Sequence, residues 1–269
     1  MKISVKSIAT VTFTLIGLAL LPRAQAVTPP PDGGYPNFTT AEGTNALKNL
    51  TTGAGNTAVG WYSLFTTSTA SFNTALGAGT LLFNNADSNT AVGTAALLFN
   101  TDGDFNTAIG SSALQSNTTG DDNTAIGWQA LFHNVTGGIN TAIGWQALFN
   151  NTEGNSNTAT GVNVLFNNTT GSFNTASGDG ALFYNTAGIR NTATGSAALN
   201  NNTEGSLNTA VGDSALFSNT TGTFNTAIGC EALPFNTTDS VNVAIGPEAG
   251  VSVTTADRWF VLAPWQAQT

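Results

Sequence analysis

Catalysis and metal binding need groups that take or give a proton, attack a substrate or donate electron pairs, and this 269-residue sequence has few of them: one histidine, one cysteine, fifteen carboxylates and six basic residues. His133 lies in "ALFHNVTGG", and no second histidine is present to share a metal or a proton. General acid–base work requires such groups to converge in one pocket, so His133 reads as a surface residue of a turn. Cys230, in "TAIGCEALPF", stands where kindred stretches carry Trp, Ser or Asp. That marks a substitution within a repeat rather than an activated nucleophile. The glycines keep a regular period and form no strand-to-helix phosphate loop.

One acidic cluster has the chemistry for a metal. Asp102 and Asp104 lie in "TDGDF", Asp121 and Asp122 in "GDDN", and Asp121 follows Asp104 by seventeen positions. If that interval makes one coil, those two stack within about 5 Å, and calcium takes carboxylate oxygens at such spacings. The pattern is not repeated along the chain. The expectation is therefore a solvated acidic turn with no cofactor, and Ca²⁺ on these four residues is the candidate to test.

The elements that would hold any site follow from composition and period. Only 8% of residues are charged, against about a quarter in ordinary soluble domains. Lys2 and Lys6, the apolar run "IATVTFTLIGLALL" and Ala24-Gln25-Ala26 give residues 1–26 the form of a secretory signal, the run being too short to cross a bilayer. Without that segment, Lys48, Arg190 and Arg258 face fifteen acidic residues, a formal charge of −12. A chain so acidic has no footprint for nucleic acid or anionic lipid, and the mature chain is not expected to insert in a membrane. A single cysteine makes no internal disulfide, so an extracellular chain must gain stability elsewhere.

The phrase "NTA" marks a period. It opens at Asn56, Asn73, Asn89, Asn106, Asn123, Asn140 and onward to Asn225, with "NVA" at Asn242, and every step is seventeen positions except the sixteen from Asn73 to Asn89. A worn copy begins at Thr39, giving thirteen units. The template is N-T-A-φ-G-x-x-A-L-F-x-N-T-T-G-x-φ, with φ apolar. T-A-φ and A-L-F have the length and alternation of strands, bounded by turn residues, and the glycines and Asn-Thr clusters disfavour helix. The expected fold is all-β, a parallel β-solenoid with two short strands per coil. A Pro/Gly-rich segment, 27–38, precedes the repeat domain, 39–250. Residues 251–269, with Trp259, Phe260 and Trp265, read as a cap or a truncated tail.

Each template position becomes a ladder along the rod. Ala at position 3 and Leu at position 9 are the expected core, Phe at position 10 an aromatic stack, and Asn at positions 1 and 12 stacked amides that hold the corners. Several of these Asn lie in N-x-S/T sequons, such as Asn117, Asn134 and Asn219, which a repeat rich in Asn and Thr generates by chance. Strand alternation points positions 2 and 4 outward. Position 2 is an unbroken Thr ladder: Thr57, Thr74, Thr90, Thr107, Thr124, Thr141, Thr158, Thr175, Thr192, Thr209 and Thr226. Position 4 carries Val59, Val92, Ile109, Ile126, Ile143, Val211, Ile228 and Ile245, interrupted by Thr160, Ser177 and Thr194. An exposed apolar row of that length marks a contact with another chain.

"NTAIGWQAL" and its kin resemble the head repeats of trimeric autotransporter adhesins, and are similar to repeats in some phage tail fibres. The likeness covers roughly residues 39–250. It implies a left-handed parallel β-roll, a homotrimer, and a place on a bacterial cell surface. The unit here is longer than the usual head repeat, and no heptad-patterned stalk is present. Two functions are in view. One is a non-catalytic secreted or cell-surface rod that attaches to cells, matrix or surfaces, through a protein, glycan or surface ligand contacted by turn residues such as Trp61, Tyr62, Trp128, Trp145 and Tyr184. The other is ice binding by the Thr ladder beside Val and Ile.

Overall fold

The computed structural model describes residues 36–253 and 258–262. The signal expected over 1–26 and most of segment 27–38 lie outside the described residues. Fourteen three-residue strands, from β1 (Thr40–Glu42) through β6 (Thr124–Ile126) and β7 (Thr141–Ile143) to β13 (Val243–Ile245) and β14 (Phe260–Leu262), form one parallel sheet in sequence order. Each residue pairs with its copy one coil on, so that Thr124 meets Thr141, Ala125 meets Ala142 and Ile126 meets Ile143. The chain is a β-solenoid, and thirteen steps of about 4.8 Å make a rod of about 60 Å.

The core is narrow because its ladders are small. Beyond the first coil, Ala125, Ala142 and their copies at position 3 from Ala58 to Ala244 are buried to within 1%, as are Leu131, Leu148 and theirs at position 9 from Leu64 to Leu233. Ala130 and Ala147, at position 8, are buried beside them. Adjacent residues cannot both point inward from a strand, and A-L-F is not one. It runs through turns, with Ala130 N–H donating to Gly127 C=O at 3.4 Å and Asn134 N–H to Leu131 C=O at 3.2 Å. The expectation of two strands per coil is thus corrected to one. The cause is the hand of the backbone. Gln129 at φ 55° and Leu131 at φ 52° occupy the left-handed region, which swings Ala130 and Leu131 into the core together. A non-glycine residue held there costs on the order of 1 kcal/mol or more, offset by about 1.5–3 kcal/mol for burying a leucine. Coils still bond to one another on this side, Leu131 N–H to Ala147 C=O at 2.9 Å and His133 N–H to Phe149 C=O at 3.0 Å.

The short coil shows where the chain has slack. Between Asn73 and Asn89 the missing residue falls at positions 13–14, and Asn84 Nδ2 reaches the carbonyl of Ala86, two residues on. In full coils the same bond spans three residues, as from Asn117 to Gly120. The solenoid also runs beyond the boundary drawn at residue 250. β14 pairs in parallel with β13, and Trp259 takes the place of the position 1 asparagine, its N–H donating to Asn242 Oδ1 at 2.9 Å.

Candidate interaction face

Two asparagine ladders set the shape of the coil. Asn123 Oδ1 accepts the N–H of Asn140 at 3.0 Å and its side-chain amide at 3.1 Å. At position 12, Asn134 Nδ2 donates to Asn117 Oδ1 at 2.8 Å. Within one coil the two ladders meet, because the Gly137 carbonyl accepts from Asn123 Nδ2 at 2.9 Å and from Asn134 Nδ2 at 2.8 Å. Both Asn are wholly buried. The solenoid therefore has a polar core beside its apolar one, each amide satisfied by the next. Position 15 is glycine at this clasp because a Cβ on Gly137 would stand 2.6 Å from Asn134 Oδ1. The sequon residues Asn117, Asn134 and Asn219 are buried in the same ladder, which withdraws them from glycosylation in the folded chain.

Outside this frame lies the strand face. At position 4, Ile109, Ile126, Ile143, Val211, Ile228 and Ile245 are exposed to 37–40% and Leu76 to 48%, while Val59 and Val92 are half-buried. Most of the Thr ladder is half-buried beside them, including Thr57, Thr90, Thr107, Thr124, Thr141, Thr209 and Thr226. Thr158, Thr175 and Thr192 are exposed, for their position 4 neighbours are the short Thr160, Ser177 and Thr194. Thr74 is exposed as well. Two residues before the Thr ladder, position 17 adds a row of larger apolar groups, among them Phe72, Phe105 and Phe173 at 68%, 60% and 55% exposure.

The aromatic ladders are stacks along the rod. Phe132, Phe149, Phe166 and Phe183 lie with ring centroids 5.0–5.2 Å apart and planes within 7°. Trp128 and Trp145 stack at 5.4 Å with their outer edges exposed. A feature not drawn from the sequence is a groove that runs over the buried position 12. Positions 11 and 13 flank it, with Ser116, His133, Asn150 and Tyr184 on one wall and Thr152 and Thr169 on the other, in a volume of about 1200 Å³. The Thr hydroxyls are tied up within the rod, Thr152 Oγ1 donating to the Thr169 carbonyl at 3.1 Å. The signal for this groove was the alternation around Asn134, whose neighbours His133 and Val135 both face out.

The acidic cluster does not assemble as a metal site. The carboxylates of Asp104 and Asp121 turn to backbone amides, accepting from Asp87 N–H and Asp104 N–H at 2.7 Å each. With Asp87 capping Ser71 N–H in the same way, they are rungs of a ladder that fastens coil to coil. Asp102 and Asp122 project elsewhere, from positions 14 and 17, and no group of three or more His, Cys, Asp or Glu among the described residues is placed to hold a metal. Of the four calcium candidates, Asp104 and Asp121 thus each have one carboxylate oxygen engaged by a backbone N–H. His133 packs edge-on against Phe132 and Phe149, with centroids 4.6 and 5.1 Å away, and Cys230 is exposed on its own coil. No family model matches the chain, and no similar curated protein or solved structure was found.

Proposed function

We propose that the chain is a non-catalytic, extracellular structural and adhesive rod that assembles side by side with copies of itself through its strand face. The observation that carries this reading is the apolar side chains at positions 17 and 4 that run from Phe72 to Ile245, broken where Ser156 and Thr160, and then Arg190 and Thr194, hold both positions. The four steps from position 17 to position 4 span about 13 Å at about 3.3 Å each. Over a rod of about 60 Å the face that carries these rows measures about 800 Å², and apolar side chains massed along one face mark a contact surface. The three-fold arrangement implied by the resemblance is one way of covering it. Attachment to cells, matrix or surfaces would then use the turn residues left outside, the stacked Trp128 and Trp145 among them.

Light scattering on the chain without residues 1–26 tests the reading. A discrete oligomer is expected, and a monomer at about 100 µM would end it. Ice binding is the lesser reading. An ice plane needs a level surface, whereas Phe72, Phe105 and Phe173 border the Thr ladder on one edge. Thermal hysteresis is expected to be absent.

A further inference from the structure

Position 17 is large and apolar in every second coil. Phe72, Phe105, Ile139, Phe173 and Leu207 alternate with Ser88, Asp122, Ser156 and Arg190. The alternation continues through Val241, and Phe224 is the one large residue out of step.

The coil itself does not demand this pattern. Phenyl rings at position 10 stack in four successive coils at 5.0–5.2 Å, so consecutive rings have room. Backbone conformation does not select it either, because Phe105, Ile139, Ser156 and Arg190 share φ values of 54–59°. The large residues remain exposed, from 39% at Leu207 to 68% at Phe72. An alternation without internal cause points outward.

Coils are about 4.8 Å apart, so the projections recur about every 9.6 Å. A surface that carries the same repeat is this face on a second copy, displaced by one coil. Symmetry then selects the arrangement. An axis along the rod, two-fold or three-fold, sets each coil against its own copy and each projection against a projection. A two-fold axis across the rod runs the copies antiparallel, and an odd displacement sets each projection into a gap.

We infer that the chain forms an antiparallel two-fold dimer in which the large side chains at position 17 interdigitate with the small or polar ones of a second copy. This rests on the reading that the strand face is covered by copies of the same chain. The register that overlaps most coils places Ile139 against the partner's Ser156 and Phe105 against the partner's Arg190. Phe224 then meets the partner's Phe72 as an aromatic pair. Arg190 already lies 5.5 Å from the Phe173 ring in its own chain, so its guanidinium sits on an aromatic-rich surface. The strip of about 800 Å² per copy is what a stable dimer of standard size buries.

Oxidative cross-linking of the chain without residues 1–26, with Cys230→Ser to remove the exposed thiol, tests the geometry. Phe105→Cys combined with Arg190→Cys places two thiols five coils, about 24 Å, apart in one chain, beyond the reach of an internal disulfide. A covalent dimer is expected from the double variant and none from Phe105→Cys alone. If the single variant cross-links as well, coils meet their own copies and the antiparallel dimer is overturned, while side-by-side assembly stands. An oligomer by light scattering that cross-links in neither variant overturns the dimer alone, and a monomer overturns both readings. Phe105→Ser with Phe173→Ser, residues that position 17 accepts in other coils, should weaken association at least ten-fold with unchanged circular dichroism. Unweakened association would remove these residues from the contact.

Discussion

Asn134 touches three partners at once: it donates to Asn117 Oδ1 and to the Gly137 carbonyl, and it accepts from Asn151 Nδ2, each at 2.8 Å. Replacing it with alanine leaves the Gly137 carbonyl with one donor fewer, Asn117 Oδ1 with no donor and one N–H of the Asn151 amide with no acceptor. Each orphaned group costs about 1–3 kcal/mol, so Asn134→Ala is expected to lose at least about 2 kcal/mol by this scale, read as a lower urea midpoint at unchanged slope. Asn134→Asp should not rescue it, since an ionised carboxylate accepts but does not donate. Gly127 is a second fixed point. It sits at φ 138°, and a Cβ there would overlap the Gly144 carbonyl oxygen. Gly127→Ala combines a strained backbone with a clash, and an expected loss on the order of 3 kcal/mol or more would appear in the same titration.

The single coil is the element, and its tolerance is uneven. The short coil keeps its clasp by letting Asn84 bond Ala86 in place of the residue one further on. Deleting Thr119, at the corresponding position 14 of another coil, should therefore cost no more than about 1 kcal/mol, as tolerated loop changes do. Deleting Ala125 should abolish folding of that coil, because a one-residue slip in T-A-φ turns its inward side chain out. Circular dichroism and denaturant unfolding of the two deletions check this contrast. The strand was legible in the sequence because buried Ala125 between Thr124 and Ile126 is a period-2 pattern. A-L-F was not, for Ala-Leu-Phe has the same apolar content in a strand as in turns of alternating hand, and the sign of φ at Leu131 leaves no mark in residue type. The sequence clue was the adjacent pair Ala130-Leu131, both recurring and both core.

At the scale of the molecule, stability is a sum over coils and the contacts between neighbours. Leu148 is fully buried between coils on both sides, while Leu47 in the first coil is 8% exposed. Leu148→Ala should lose about 2–5 kcal/mol through the cavity it leaves, and Leu47→Ala measurably less. Hydrogen exchange should show the first variant opening the middle of the rod and the second only its N-terminal coils. The same one-dimensional stacking makes surface ladders continuous, so that a modest apolar residue such as Ile126 becomes part of a strip along the whole rod. Association through that strip is the whole-molecule expectation, and its oligomeric state separates the antiparallel dimer from a three-fold bundle.

The sequence by itself determined the period, the solenoid, the Ala and Leu core and the asparagine ladders, because in-register stacking converts a regular repeat directly into rows of like neighbours. It also named the outward Thr and Val/Ile rows, which follow from strand alternation at Ala125. Only the tertiary structure decided that each coil has one strand, that Asp87, Asp104 and Asp121 fasten backbone amides of the neighbouring coil, and that Trp259 to Leu262 add a further rung. Those outcomes depend on backbone hand and on which donor lies nearest a side chain, both set by the coil packed alongside.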